Sequence, residues 1–383
     1  MRKSTLLKTL VLWGVLQVVR HGVAQEETIR FSSENSVDRV DGFDGATKLR
    51  IDQAVLKEME SQQIVGASVG VIRNGRVVFT RGYGLADREK KINFSEKTVV
   101  NWASNSKPVV AVAAMQLVEQ GKLSLEDRIK KHLPELPVSC DEITVRQILC
   151  HQSGYPHYSN GKIAPLKTPI ESGADGNDPL FSIKRFAGSP LIYKPREQYS
   201  YSSYAFVLLS AVIQRAGKER LSDQIKNRIT QPLDMGSFQL DAELDMQLNW
   251  AVGYKKNFAG AVARVPEYAH DWKHGAGGYK SSIVDFAKWA EGLINRKLCS
   301  EASEKAMWKS QKTSNGKSTD AGLGFFITTQ NGTLKVSHGG SHSEARSRMV
   351  LYPKAKHGIV VLCNCGHADP AKISTAIYRV LKK

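Results

Sequence analysis

Between positions 108 and 121 the sequence reads PVVAVAAMQLVEQG, opening on a proline that suits a first helical turn and closing on a glycine that suits a stop. Almost nothing polar lies between them, so the segment reads as a buried helix that other elements must enclose. A chain of 383 residues is long enough to build a core around it, and its apolar and charged fractions, 41% and 24%, are those of a soluble globular protein. Directly ahead stands Ser104-Asn105-Ser106-Lys107, a serine and a lysine three residues apart at the start of the helix.

The flanking patterns supply partners for that helix. In LRIDQAVLKEMESQQI, Leu49, Ile51, Val55, Met59 and Ile64 recur with helical spacing. GASVGVIRNGRVVFTRGYG reads as two strands joined at Asn74-Gly75, a strong hairpin signal. From about Leu125 to Asp271 helical patterns and loops dominate, clearest in ITVRQILCHQSGY and YSSYAFVLLSAVIQRAGK. GYKSSIVDFAKWAEGLI is a further amphipathic helix with a serine cap. The end returns to strands, GLGFFITTQ, TLKVSHGG, RSRMVLYP and HGIVVLCN, before a last helix in PAKISTAIYRVLKK. This order predicts an α+β architecture: one sheet built from both ends of the chain, with a helical insertion over roughly 125–271.

The first 24 residues stand apart. MRKSTLLK is basic, TLVLWGVLQVV is apolar, and small residues precede a cleavage point after Ala24, the layout of a secretory signal peptide. Residues 25–44 read as an irregular polar leader and 45–383 as the folded domain. The apolar stretch is short for a bilayer span, so the expected product is exported, periplasmic or extracellular, with no stable membrane insertion. The net charge of +17 falls to +13 with the loss of Arg2, Lys3, Lys8 and Arg20. No basic run exceeds two adjacent residues and no nucleic-acid motif accompanies the charge, so it reads as solvated surface rather than a nucleic-acid site. Five cysteines, Cys140, Cys150, Cys299, Cys363 and Cys365, do not make a disulfide framework, although a Cys140–Cys150 bridge suits an oxidising compartment. Cys363 and Cys365 read as buried thiols, with a metal site completed by His367 as the alternative.

A serine-x-x-lysine match is weak alone, because the chain holds three. Those at Ser159 and Ser314 run through Asn-Gly turns, whereas Ser104 and Lys107 begin a helix and share a face there. Burial and neighbouring cations would lower the Lys107 pKa, giving a neutral amine able to take the Ser104 proton. The helix start also offers N–H groups to an oxyanion. Equally, Ser104 or Ser106 would serve as an ordinary helix cap. Local physics leaves the two readings level.

NWASNSKPVVAVAAMQLVEQGKLSLEDRIKKHLPEL followed by ITVRQILCHQSGY resembles the serine β-lactamase and penicillin-binding-protein superfamily, in the branch of class C β-lactamases, D-Ala-D-Ala carboxypeptidases and related esterases. The resemblance runs from roughly Gln53 to Lys382. It implies a β-lactamase/transpeptidase-like fold, a mostly antiparallel sheet flanked by helices plus an all-helical lobe, with the site between them. By the same resemblance Ser104 is the nucleophile and Tyr201, in YSYSSYAFVLL, is the proton-relaying tyrosine. Ser203 stands where the family has asparagine; the literal Tyr158-Ser159-Asn160 match lacks the following apolar helix and is a decoy. His338-Gly339-Gly340 occupies the place of the family's Lys-Thr-Gly strand, the glycines letting a substrate lie along it. The N–H of Ser341 would join that of Ser104 as the oxyanion donor. Arg346 reads as a carboxylate holder or a structural arginine. His270 and His274, four apart but in a loop, do not make a zinc helix, and His151, His157 and His342 read as polar-loop residues. The implied activity is acyl transfer to water without metal or organic cofactor, on a small-molecule or peptide substrate such as a cell-wall peptide or an ester. The departures at Ser203 and His338 make a β-lactam the least suitable substrate. A protein that is acylated without turnover is the alternative.

Overall fold

The computed structural model describes residues 42–382 except 174–176, 241–248, 267–269 and 331. The signal-peptide segment and nearly all of the leader therefore lie outside the described residues. Helix α1 (Gly45–Gln62) starts where the Asp44 carboxylate accepts the Thr47 N–H at 2.7 Å, and it buries Ile51, Val55 and Met59 along one stripe. Strands β1 (Gly66–Arg73) and β2 (Arg76–Asp87) follow as the expected hairpin. Both turn residues, Asn74 and Gly75, have positive φ (52° and 74°), as a turn matched to strand twist requires. Short strands β3 (Ile92–Asn93) and β4 (Val100–Asn101) lead to the buried helix α2 (Ser106–Glu119).

The middle of the chain holds α3 (Val145–Leu149), α4 (Pro179–Ile183), α5 (Ser203–Gly217) and α6 (Leu221–Ile225). It also contains β5 (Gln239–Leu240) and a small hairpin of β6 (Tyr254–Lys256) and β7 (Val262–Arg264). Strands of two or three residues are too short to show alternation, which is why the sequence pattern gave no sign of them. After β8 (Tyr279–Ser281) come α7 (Ile283–Ile294), α8 (Glu301–Met307), β9 (Phe326–Gln330), β10 (Thr333–Ser341), β11 (Arg346–Tyr352), β12 (His357–Cys363) and α9 (Pro370–Leu381).

The main sheet has the order β3-β2-β1-β12-β11-β10-β9 and all its pairings are antiparallel. Its two halves meet where Val69 of β1 pairs with Val361 of β12, so the ends of the chain share one sheet. Alternation along β12 sorts the core: Ile359, Val361 and Cys363 join α1 and α9, while Val360 and Leu362 join α7 and α2. Helix α2 lies in that second core with residues 106–117 all buried. Each fully buried aliphatic side chain there contributes roughly 1.5–3 kcal/mol relative to exposure. A second, three-stranded sheet, β4-β8-β5, stands at the start of α2.

The cysteines do not pair. All five are free, so the Cys140–Cys150 bridge considered from sequence is absent; the Cys150 thiol instead contacts the Gln147 carbonyl. Cys363 and Cys365 both lie in the α1/α9 core, and His367 turns away to the Gln63 carbonyl. Among the described residues no helix is long and apolar enough to cross a membrane.

Candidate active site

Ser104 is not a helix cap. It occupies a single tight turn, Ala103–Asn105, ahead of α2, and the residue preceding the helix, Asn105, makes no capping bond. Ser106 is used elsewhere, its hydroxyl accepting the Tyr279 N–H at 3.2 Å. The turn is fastened on several sides. Trp102 donates its indole N–H to Ser281 (2.9 Å), its carbonyl accepts from Ser347 (2.5 Å), and Asn105 donates to the same Ser347 hydroxyl (2.7 Å). Ala103, at φ 48°, sits in the left-handed region that an L-residue enters at a cost, and its N–H is held by Asn101 at 2.6 Å. The sheet and the small sheet thus over-determine the backbone that carries Ser104.

One helical turn on, Lys107 is completely buried. Its Nζ stands 2.6 Å from the Ala276 carbonyl, 3.1 Å from Ser203 Oγ and 3.2 Å from Ser104 Oγ. Burial pushes its pKa well below that of an ordinary lysine, and the nearby Lys273 ammonium adds to the shift. A neutral amine has two N–H donors and one lone pair. The carbonyl of Ala276 can only accept; with Ser203 Oγ accepting the second N–H, the lone pair of a neutral amine would be left for the Ser104 hydroxyl to donate to. The Tyr201 ring lies 4.8 Å from the same nitrogen, and Tyr201 lines the cleft beside Ser104. Burial raises the Tyr201 pKa and keeps its proton in place. Local sequence explains that position: Ser202, not Ser203, caps α5 by accepting the Ala205 N–H at 3.1 Å, which frees the Ser203 hydroxyl for Lys107.

These residues open onto a cleft of about 690 Å³ lined by Ser104, Tyr201, Ser203, His338, Gly339, Gly340 and Ser341, with Lys107 buried behind Ser104, so the eight positions proposed from sequence lie together in space. Strand β10 comes this close because Gly340 has no side chain: a Cβ there would stand 2.1 Å from the Trp102 carbonyl. His338 is buried on β10 and its Nδ1 faces the Gly339 carbonyl at 2.8 Å, which fixes the ring proton on Nδ1 and leaves Nε2 as an acceptor. Burial, then Lys107, holds its pKa down to about 3. His338 is therefore a neutral acceptor where the resembling family places a cation. Arg346 lines the cleft, but its guanidinium donates to the His342 and Ala345 carbonyls and braces the loop after β10.

Several residues in or behind the cleft escaped the sequence reading. His151, expected in a polar loop, is buried with its ring 4.3 Å from that of Tyr201 and its Nδ1 accepting the Ser202 N–H at 3.2 Å. His157 and His342, expected likewise, line the cleft, as do Lys273 and Arg348. No local signal marks them, since their roles arise from neighbours 46 to 69 positions away. His270 and His274 do not converge on one point: His274 contacts Ser182 at 3.0 Å and His270 contacts Glu344 at 2.7 Å. Ligand atoms of His270, His342 and Glu344 do lie within 4.8 Å of one another, a group that could in principle hold a metal. Lys273 Nζ, however, stands 2.9 Å from His270 Nδ1 and 3.3 Å from His342 Nδ1, so the cluster already surrounds a cation.

A serine beside a desolvated lysine and a tyrosine, at the junction of an antiparallel sheet and a helical lobe, is an arrangement suited to nucleophilic catalysis. The family model described as Beta-lactamase matches residues 51–382. The chain belongs to that family. Protein flp of Staphylococcus aureus is 27% identical over 320 residues, covering 82% of this chain; the chain spans 62% of that relative's length. Among solved structures, an octameric penicillin-binding protein homologue from Pyrococcus abyssi superposes with a TM-score of 0.72 at 24% identity, covering 88% of this chain and 77% of that one. EstCE1, a hydrolase with promiscuous acyltransferase activity, gives a TM-score of 0.72 at 22% identity over 87% and 98% of the two chains. At these identities the structural likeness establishes the β-lactamase-type fold expected from the sequence.

Proposed function

We propose that the protein is an exported serine hydrolase that works through an acyl-enzyme. The observation that carries this reading is the Lys107 amine, fully buried and 3.2 Å from Ser104 Oγ with its other two neighbours acting as acceptors. Lys107 takes the Ser104 proton as Oγ attacks the substrate carbonyl. Tyr201, whose ring lies 4.8 Å from Lys107 Nζ, gives its proton to the leaving group and is reprotonated from the Lys107 ammonium, which restores the neutral amine. The N–H groups of Ser104 and Ser341 stabilise the oxyanion, and water then releases the acyl group. Each of these steps uses side chains and backbone of this chain alone.

A carboxylic ester is the substrate class that suits the cleft best. His338 is neutral and Ser203 is engaged by Lys107, so neither supplies the cation or the amide that a β-lactam or peptide-binding relative would present. A short cell-wall-type D-Ala-D-Ala peptide is the second reading, favoured by Lys273 and Arg348 in the cleft wall, which would attract a terminal carboxylate. Export rests on the N-terminal sequence pattern.

Intact-mass spectrometry after exposure to a fluorophosphonate tests the nucleophile. One adduct is expected on the wild type and none on Ser104→Ala. Turnover of 4-nitrophenyl acetate beside release of D-alanine from a D-Ala-D-Ala peptide then separates the two substrate classes. An adduct that persists in Ser104→Ala would overturn the assignment.

A further inference from the structure

Ser203 leaves a gap in substrate recognition. Its hydroxyl lies 3.1 Å from Lys107 Nζ, and a single short hydroxyl cannot present a donor and an acceptor side by side to an acyl group in the cleft as an amide would. Immediately beside it His157 lines the same cleft, and its hydrogen bonds decide what it can do. Nδ1 accepts the backbone N–H of Ser203 at 3.2 Å. A neutral imidazole whose Nδ1 is an acceptor carries its proton on Nε2, so the free nitrogen is a donor. Among the described residues Nε2 has no hydrogen-bond partner of its own. The ring is held in place: it tilts against Tyr158 at 4.3 Å, meets Tyr201 edge-on at 5.5 Å, and the His157 N–H is fixed by Asn160 at 2.6 Å. Burial lowers its pKa to about 4, keeping it neutral at ordinary pH.

His338, in the same cleft, has the reverse tautomer, with Nδ1 donating to Gly339 and Nε2 accepting. The cleft therefore presents one fixed donor beside the start of α5 and one fixed acceptor on β10. Neither histidine can exchange these roles without breaking its bond to the backbone.

Building on the reading of Ser104 as the acylated nucleophile, we propose that His157 Nε2–H is a specificity-determining donor for a carbonyl oxygen in the acyl part of the substrate, so that the preferred substrates are esters of N-acylated amino acids or short peptides rather than simple alkanoyl esters. His157 supplies, from a different loop, an N–H donor beside the Ser203 hydroxyl.

The test compares 4-nitrophenyl esters of N-acetylglycine and of acetic acid, which differ by the acyl-side amide. The wild type should favour the N-acetylglycine ester. His157→Phe keeps the ring packing without either nitrogen, His157→Asn keeps an acceptor for Ser203 without the outward donor, and His157→Gln keeps a donor that reaches the Nε2 position. The ratio of kcat/KM values should fall about tenfold, the worth of one hydrogen bond, in the Phe and Asn variants, with Gln retaining most of it. A proportional loss on both esters would mean that His157 only supports the start of α5, and an unchanged ratio would mean that it touches no acyl group; either overturns the proposal. A second arm needs no turnover: titrating N-acetylglycine into Ser104→Ala and into Ser104→Ala/His157→Phe, by NMR. Weaker binding by the double variant supports the donor even if the wild type cleaves neither ester, an outcome that would count against the hydrolase reading alone. Equal binding, or none to either, overturns it.

Discussion

Gly340→Ala is expected to damage the site through two atoms that bond to each other. An added Cβ would lie 2.1 Å from the Trp102 carbonyl oxygen, 2.2 Å from Ser347 Oγ and 3.1 Å from the Ala103 Cβ. Carbon and oxygen in ordinary contact stand about 3.3 Å or more apart, so strand or turn must move by about 1 Å. Ser347 Oγ donates to the Trp102 carbonyl at 2.5 Å, and the wedge enters at that bond, one residue from the strained Ala103 and two from Ser104. Overpacking of this kind costs about 1–3 kcal/mol, and loss of the hydrogen bond about 1 more. A stability loss of about 2–4 kcal/mol should appear in urea denaturation, read as a lower midpoint at constant slope. A nucleophile displaced by about 1 Å should also lose roughly 100-fold in kcat/KM on an ester. Gly339→Ala is the internal control for stability, because its nearest neighbours would be 3.6 and 3.9 Å away. Its midpoint should move by no more than about 0.5 kcal/mol. Refutation would be a Gly340→Ala protein with wild-type midpoint and turnover, or a Gly339→Ala protein destabilised as much.

Lys107→Met should lower kcat by roughly 10²–10⁴-fold, measured on the same ester, since that is the usual worth of a positioned base. Because the folded protein holds Lys107 below its ordinary value of 10.5, the unfolded chain binds the extra proton, and this group makes stability rise with pH up to about 10.5; in urea titrations across that window Lys107→Met should flatten the rise. His338 works in the acid direction. With its pKa at about 3 folded against 6.5 ordinarily, its share of stability should be lost as pH falls from 6.5 towards 3, by at most about 1.4 kcal/mol per pH unit, and His338→Gln should lessen that acid sensitivity. Five thiols should titrate with a disulfide reagent after denaturation without reductant; any fewer would mean that a bridge forms.

Much of this architecture was legible because it follows from local patterns. Apolar runs and turn residues located α2, the Asn74-Gly75 hairpin, α5, α7 and the late strands, and chain order implied a sheet closed by its two ends. Strands β5 to β8 escaped because two or three residues cannot display a period. At the site, Ser104 and Lys107 were legible as an i, i+3 pair, but their spacing alone left nucleophile and helix cap level. Pairing of Cys140 with Cys150 was open from sequence because connectivity is a matter of distance in space, and both thiols remain free.

The sequence by itself determined that a serine and a lysine stand three apart at the start of a helix that had to be buried, since burial follows from composition along a period. Only the tertiary structure decided what those side chains are. Lys107 is suited to act as a base because Ala276 and Ser203, 169 and 96 positions along the chain, take two of its three contacts in a place water does not reach. His157 becomes a donor and His338 an acceptor because each gives its Nδ1 to a different backbone group, Ser203 N–H in one case and Gly339 C=O in the other. Tautomer and pKa depend on the nearest atoms and on dielectric, and folding, not sequence order, brings those atoms together.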